Sequence, residues 1–306
     1  MKAIRIHDYG DAGALQYEDA PAPEIGADGL LIKVVGAGVN PVDYKIRAGY
    51  MKAVRALTFP AILGSDVSGV VERVGAAISR YKPGDAVIAR TDGAYAEYAA
   101  AKIDTAAPAP KSIPLTHAAA IPIAAGTAWT VLFESAPLAP GQTVLIQGGS
   151  GGVGTFAIQL AKLAGLRVIA TTSTRNVSLV RSLGADEVID YTREDVARQA
   201  RDVDLVFDTV GGEAQKRLYG VLKKGGLLIS IVGPPDESLA RDHGITARFE
   251  RSNVTGPKLA EIAGLIDAGK LTIQIEKEFP LVEARAAHEL VESGRARGKV
   301  VLRVSG

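Results

Sequence analysis

Hydrophobic positions follow two rhythms along this chain. In the first third they form short, β-branched runs such as Leu30–Val35, Val67–Val74 and Asp85–Ala89, separated by turns such as Lys82-Pro83-Gly84-Asp85. Runs this short and closely spaced predict antiparallel strands in a barrel-like module. From about Gly141 the pattern changes. Strands are predicted at Thr143–Gln147, Arg167–Thr171, Glu187–Ile189, Asp204–Asp208 and Leu227–Val232, and helices at Val153–Ala164, Val177–Leu183, Asp195–Ala200 and Glu213–Leu222. Strands alternating with helices imply right-handed crossovers and a parallel, doubly wound sheet. Pro257–Ala268 reads as one more helix. A helix near Val282–Ser293 and a strand Lys299–Val304 return to the first style. That last strand is expected to rejoin the N-terminal module, which makes the module discontinuous in sequence.

Composition narrows the function classes. A chain of 306 residues is long enough for two domains with a sizeable core. With 35 Lys+Arg against 34 Asp+Glu the net charge is +1, and no basic run stands out, so neither nucleic acid nor an anionic membrane is expected as partner. No apolar stretch is long enough for a membrane span. The start, MKAIRIHDYG, turns polar at once and does not read as a secretory signal. A cytoplasmic protein is the expectation. The absence of cysteine rules out disulfides, thiolate nucleophiles, Cys-ligated zinc and iron–sulfur clusters.

The 34 glycines call for a reason, and one cluster supplies it. Gln147-Gly148-Gly149-Ser150-Gly151-Gly152-Val153-Gly154 lies between a predicted strand and a predicted helix. Gly149, Gly151 and Gly154 fit the dinucleotide-binding spacing: the first for a tight turn, the second for backbone approach to a pyrophosphate, the third for close packing of helix on strand. The N–H groups at the start of the helix, Gly152 and Val153 among them, then face the anion. The second strand ends at Thr171, where an NAD enzyme carries an acid for the adenosine ribose. Here the run is Thr171-Thr172-Ser173-Thr174-Arg175-Asn176. Hydroxyls and a guanidinium suit a 2′-phosphate, so Ser173, Thr174, Arg175 and Asn176 point to NADP(H). A helix-capping role for Ser173 or Thr174 is equally compatible. Ligands bind at the carboxyl ends of such sheets, which adds Val210, Val232 and Gly233, at the ends of the fourth and fifth strands, as backbone contacts.

AGVNPVDYK (37–45), GSDVSGVVERVG (64–75), YKPGDAV (81–87), GAYAEYAA (93–100), AAGTAWTVLF (124–133), GGSGGVG and GKVVLRV together resemble the medium-chain dehydrogenase/reductase superfamily. Within it they resemble the zinc-independent, zeta-crystallin-like quinone oxidoreductase and enone reductase branch. The resemblance implies an α/β fold with a GroES-like β-rich domain at 1–121 and 273–306, a Rossmann doubly wound parallel sheet at 122–272, and an active-site cleft between them. It departs from the zinc alcohol dehydrogenases in carrying Asn40 for a catalytic cysteine and Gly64-Ser65-Asp66 for Gly-His-Glu. His7, His117, His243 and His288 show no ligand spacing and read as solvated or capping residues, so no metal is expected.

The chemistry left is hydride transfer from NADPH to a quinone or an α,β-unsaturated carbonyl, which builds negative charge on a carbonyl oxygen. The resemblance puts Asn40 near the nicotinamide. Lys45 is the candidate electrophile or proton relay, with an ordinary solvated lysine as the competing reading. Asp43 reads as orienting Lys45 or Tyr44, or as capping the following helix, and Tyr44 as catalytic, as cleft wall or as core. Thr127 matches a family position at the nicotinamide end of the cofactor, and Tyr191 one near the 2′-phosphate or adenine. Arg297 and Lys299 read either as cofactor-phosphate contacts or as surface charges. An enoyl-thioester reductase and an NADPH-binding structural or regulatory protein are the alternatives. A strand near Ile245–Phe249 is expected to pair with its twofold mate in a homodimer.

Overall fold

The computed structural model describes residues 1–136 and 138–304. Among these the strands are, in chain order, β1 (Lys2–Ile6), β2 (Gln16–Asp19), β3 (Gly29–Val39), β4 (Ala61–Ile62), β5 (Asp66–Val74), β6 (Ala86–Arg90), β7 (Tyr98–Lys102), β8 (Ala106–Pro108), β9 (Thr143–Gln147), β10 (Arg167–Thr172), β11 (Glu187–Asp190), β12 (Val203–Asp208), β13 (Leu222–Ser230), β14 (Thr246–Phe249), β15 (Ile275–Pro280) and β16 (Lys299–Arg303). They divide into two compact units. The first is Met1–Gly126 together with the chain from Val254 onward, and the second is Thr127–Asn253.

In the first unit β3 is the spine. It pairs antiparallel with β5 over most of its length, with β7 at Gly29–Lys33 and with β16 at Gly36–Val39. The sheet runs β15-β16-β3-β5-β6-β8, and β2-β1-β4 form a separate small sheet. Side chains such as Ile4, Ile32, Val67, Val87, Tyr95 and Leu302 fill the interior. The last strand therefore does return to the N-terminal module, and it does so beside the strand that leads into Asn40.

A charged group also sits inside this core. Arg47 is fully buried. Its Nε donates to the Gly10 carbonyl at 3.2 Å, its Nη2 to Glu292 Oε2 at 2.7 Å, and its Nη1 to His288 Nδ1 at 3.1 Å. A guanidinium can only donate, so His288 accepts at Nδ1 and carries its proton on Nε2. This corrects the reading of His288 as solvated or capping: its exposure is zero. Burial, then the Arg47 charge, pulls its pKa down to about 3. His7 and His117 do lie toward the surface, beside Glu18 and Glu278.

The second unit is a six-stranded parallel sheet in the order β11-β10-β9-β12-β13-β14. Its first strand, β9, is central, with β10 on one side and β12 on the other, so the glycine-rich turn leaves the sheet where strand order reverses. The predicted helix Glu213–Leu222 is shorter, ending as Gly212–Lys216, and Leu222 already belongs to β13. Residues 254–272 group with the first unit, whereas the sequence reading gave them to the second. The helix Gly256–Asp267 explains the shift, because Asp267 Oδ1 accepts the backbone N–H groups of Lys111 and Ser112 at 2.8 and 2.9 Å. No helix among the described residues is long and apolar enough to cross a membrane.

Candidate active site

Two polar constellations stand out. The first lies where β3, β5 and β16 end side by side. Asn40 precedes the helix Pro41–Arg47, Asp66 opens β5 and Lys299 opens β16. Their exposures are 4%, 0% and 3%. Lys299 Nζ donates to Asn40 Oδ1 at 2.5 Å and to Asp66 Oδ2 at 3.3 Å. Asn40 Nδ2 donates to the same Asp66 oxygen at 2.8 Å, and Asp66 Oδ1 accepts the Ile123 N–H at 2.7 Å. Buried ions persist only when paired and hydrogen-bonded in this way. Burial still pushes the Asp66 carboxyl above its ordinary value, against the pull of Lys299, Asn40 and the Ile123 N–H.

Asp43 extends the network. From the first turn of its helix it reaches back to the Asn40 N–H at 2.8 Å, the return half of a capping box, and it accepts the Tyr95 hydroxyl at 2.7 Å. So Asp43 caps the helix start and binds Tyr95; it makes no bond to Lys45 or Tyr44. Burial raises its pKa to about 6 although both hydrogen bonds act downward. Tyr44 and Lys45 are half-buried on the same helix. Burial lifts the Tyr44 hydroxyl above its usual value.

The second constellation is the turn after β9. The residue in the left-handed region is Gly148, with φ +75°, rather than Gly149, which lies against Ala170. A Cβ on Gly154 would fall on the Gly148 carbonyl oxygen, so the third glycine is needed for close packing. Gly151 precedes the helix Gly152–Leu163 and offers no side-chain cap, which leaves the first N–H groups to an anion. At the end of β10, Ser150 Oγ accepts from Thr172 Oγ1 at 2.9 Å and from Asn176 Nδ2 at 3.1 Å. Arg175 is exposed on the short turn Thr174–Asn176.

Residues 26–111 match the model of the alcohol dehydrogenase GroES-like domain, and residues 183–302 that of the zinc-binding dehydrogenases. The NADPH-dependent alkenal/one oxidoreductase, chloroplastic, of Arabidopsis thaliana is 36% identical over 319 residues, covering 99% of this chain and 79% of that protein. The quinone oxidoreductase from Coxiella burnetii superposes with a TM-score of 0.93 at 35% identity, over 100% of this chain and 99% of that one. An Escherichia coli quinone oxidoreductase complexed with NADPH superposes with a TM-score of 0.90 at 25% identity, over 99% and 100%. The chain belongs to the quinone and enone reductase branch of the medium-chain dehydrogenase/reductase superfamily.

Membership brings two groups to test against these residues. A dinucleotide fits: the turn after β9 is built of glycines, and the helix behind it starts without a side-chain cap, so its first N–H groups stand open to an anion. A catalytic zinc does not fit. The chain has no cysteine, Asp66 is already committed to an ammonium, an amide and a backbone N–H, and a divalent ion beside it would face Lys299. Among the described residues no cluster of three His, Asp or Glu could hold a metal ion.

Other expected residues take more specific places in this reductase fold. Lys299, read as a phosphate contact or a surface charge, is neither free nor exposed. Arg297 is exposed and lies 3.5 Å from Glu276. The Val210 and Gly211 N–H groups are taken by Asp208 Oδ1, and the Val232 N–H faces Ser230 Oγ, so these segments offer carbonyls and side chains rather than donors. Thr127 is buried, Tyr191 exposed. Neither Ser173 nor Thr174 caps a helix with its side chain. Thr174 instead donates to Asp190 Oδ2 at 2.5 Å, which brings an acid beside the acid-free run. Hydrogen bonds from Thr174 and Thr192 hold the Asp190 carboxyl below its ordinary value.

The buried titrating groups of the first unit oppose one another in pH. Folded Asp43 holds a proton up to about pH 6, whereas unfolded it loses it near 3.8, so its contribution is lost as pH rises through that window. Asp66 acts in the same direction. Folded His288 stays neutral down to about pH 3, whereas unfolded it charges near 6.5, so its contribution is lost as pH falls. Asp43→Asn should therefore make stability climb more steeply with pH than in the wild type between about pH 4 and 6, measured by urea unfolding at three pH values. Equal slopes would place the Asp43 pKa at its ordinary value.

Proposed function

We propose that this reductase transfers hydride from NADPH to a quinone or an α,β-unsaturated carbonyl without a metal. The observation that carries the reading is the self-satisfied set Asn40, Asp66 and Lys299, which fills with an internal cation the place where zinc relatives carry ligands. The relatives named as alkenal/one and quinone oxidoreductases supply the substrate class. The cofactor is NADP(H). When bound, it supplies the hydride; the protein supplies binding, orientation and electrostatics.

Gly152, Val153 and Gly154 receive the pyrophosphate through backbone N–H groups, whereas the Gly149 and Gly151 N–H groups are taken by the Thr171 and Gly148 carbonyls and these two glycines shape the turn itself. Ser173, Arg175 and Asn176 receive the 2′-phosphate, and Tyr191 flanks it. Thr127, Val210, Val232 and Gly233 bound the nicotinamide end. The family resemblance assigns Asn40 to the nicotinamide, and Tyr44 and Lys45 to the substrate. Lys45 donates to the oxygen that gains charge; its ammonium has no hydrogen-bond partner among the described residues to compete for it. A twofold dimer through β14, which among the described residues pairs only with β13, completes the reading. Light scattering that returns the mass of a single chain removes it.

The direct test is NADPH oxidation with a panel of small quinones and enones, before and after prolonged chelation. Turnover that survives chelation is expected, and loss of both a stoichiometric metal and activity overturns the metal-free reading. Arg175→Ala should weaken NADPH selectively over NADH by about 1–3 kcal/mol, read from the two dissociation constants. Equal losses for both would take Arg175 off the 2′-phosphate. Lys45→Ala should lower kcat by about 10²–10³-fold with a smaller change in KM, more for enones than for quinones. Near-normal turnover on both substrate classes would make Lys45 a solvated lysine.

A further inference from the structure

We propose that Lys299 is a positioning residue for turnover: it holds the Asn40 amide in one orientation and so fixes the start of the helix that carries Tyr44 and Lys45. This rests on the reading above that places Asn40 at the nicotinamide.

An asparagine amide presents an oxygen and a nitrogen of nearly the same shape, so packing alone does not choose between its two orientations. Charge chooses here. Lys299 Nζ can only donate, and it meets Asn40 Oδ1 at 2.5 Å. The Asp66 carboxylate accepts, and it meets Nδ2 at 2.8 Å. Turning the amide over would set its nitrogen against the ammonium and its oxygen against the carboxylate, losing two charge-assisted bonds where water cannot replace them. Lys299 and Asp66 also touch, at 3.3 Å, so the three groups close on one another. The backbone of Asn40 is fixed as well, through its N–H to Asp43 Oδ2, which the Tyr95 hydroxyl also binds. Every polar group by which Asn40 could shift is thus held, and the side-chain oxygen is held from a strand 259 residues away. With 3% exposure and its ammonium committed here, Lys299 stands as an internal cation rather than as a ligand for a cofactor phosphate.

Lys299→Met alone would strand the Asp66 charge and endanger folding, so the decisive variant is the double substitution Asp66→Asn/Lys299→Met. Removing both charges avoids the orphaned ion. The new amide at 66 can donate or accept, so nothing then forces Asn40 into one orientation. The expected result is a melting temperature near that of the wild type, an unchanged NADPH dissociation constant by fluorescence titration, and a kcat with 1,4-benzoquinone lower by on the order of 10²-fold at similar KM. The Asn40 side-chain amide signal, assigned by its loss in Asn40→Asp, should also exchange faster with solvent. Wild-type kcat together with unchanged amide exchange overturns the proposal and leaves the pair purely structural. A raised NADPH dissociation constant with kcat retained also overturns it, and returns Lys299 to the cofactor phosphates. Wild-type protein that oxidises no NADPH with any quinone or enone removes the functional reading and the turnover claim with it; amide exchange then decides by itself whether Lys299 fixes Asn40.

Discussion

A lysine ammonium buried against an aspartate carboxylate ties together stretches of the first unit that are far apart in sequence. Taking each ion out of water costs several kcal/mol, and the attraction between them offsets this only when further hydrogen bonds complete the site. Here the Asn40 amide and the Ile123 N–H provide them. The dependence is mutual: leaving either ion buried without the other costs about 3–5 kcal/mol. Asp66 lies opposite Gly38 in the β3–β5 ladder, and Val300 opposite Val39 in the β16–β3 ladder, so strand register and ion pair enforce each other. The discontinuity of this unit follows, because β5 and the residue before the helix Pro41–Arg47 are incomplete until the last strand arrives.

In the second unit backbone does the equivalent work. β9 is flanked by β10 and β12, and its carboxyl end opens into a turn made passable by Gly148 and compact by Gly154. The helix that follows begins without a side-chain cap, so its first N–H groups and its dipole face outward together. Hydroxyls and an amide from Ser150, Thr172 and Asn176 interlock beside it. They stiffen the end of β10 through neutral hydrogen bonds.

The fold was largely legible in the sequence because both of its signals are local. Hydrophobic periodicity located β9, β10 and β12 within a residue or so, and the glycine spacing needs only eight consecutive positions. What escaped depends on distant partners. Lys299 looks like a surface lysine before a terminal strand until Asp66 and Asn40 stand beside it. His288 looks solvated until Arg47, 241 residues away, arrives at its ring. Asp190 closes a strand of its own, β11, so a reading confined to the run after β10 misses the acid that binds Thr174. The unit boundary slipped for the same reason, since Asp267 holds the helix Gly256–Asp267 to Lys111 and Ser112 through contacts no local pattern announces. The mis-assigned turn glycine differs in kind: Gly148 and Gly149 are adjacent and chemically identical, and only backbone geometry separates them.

The match of residues 183–302 to the zinc-binding dehydrogenases illustrates how fold and chemistry part company. The matched span contains parallel strands, their crossover helices and the return of β16, elements that specify an architecture. The groups that would hold a metal lie elsewhere, near Asn40 and Asp66, and there the donor set has changed. An amide replaces a thiolate, and the nearby carboxylate is neutralised by Lys299, which enters on β16, inside the matched span itself. The buried carboxylate needs a cation beside it, and a covalently attached ammonium meets that need at a fixed position. In the proposed metal-free reaction, polarisation of the substrate oxygen comes from a donor such as Lys45.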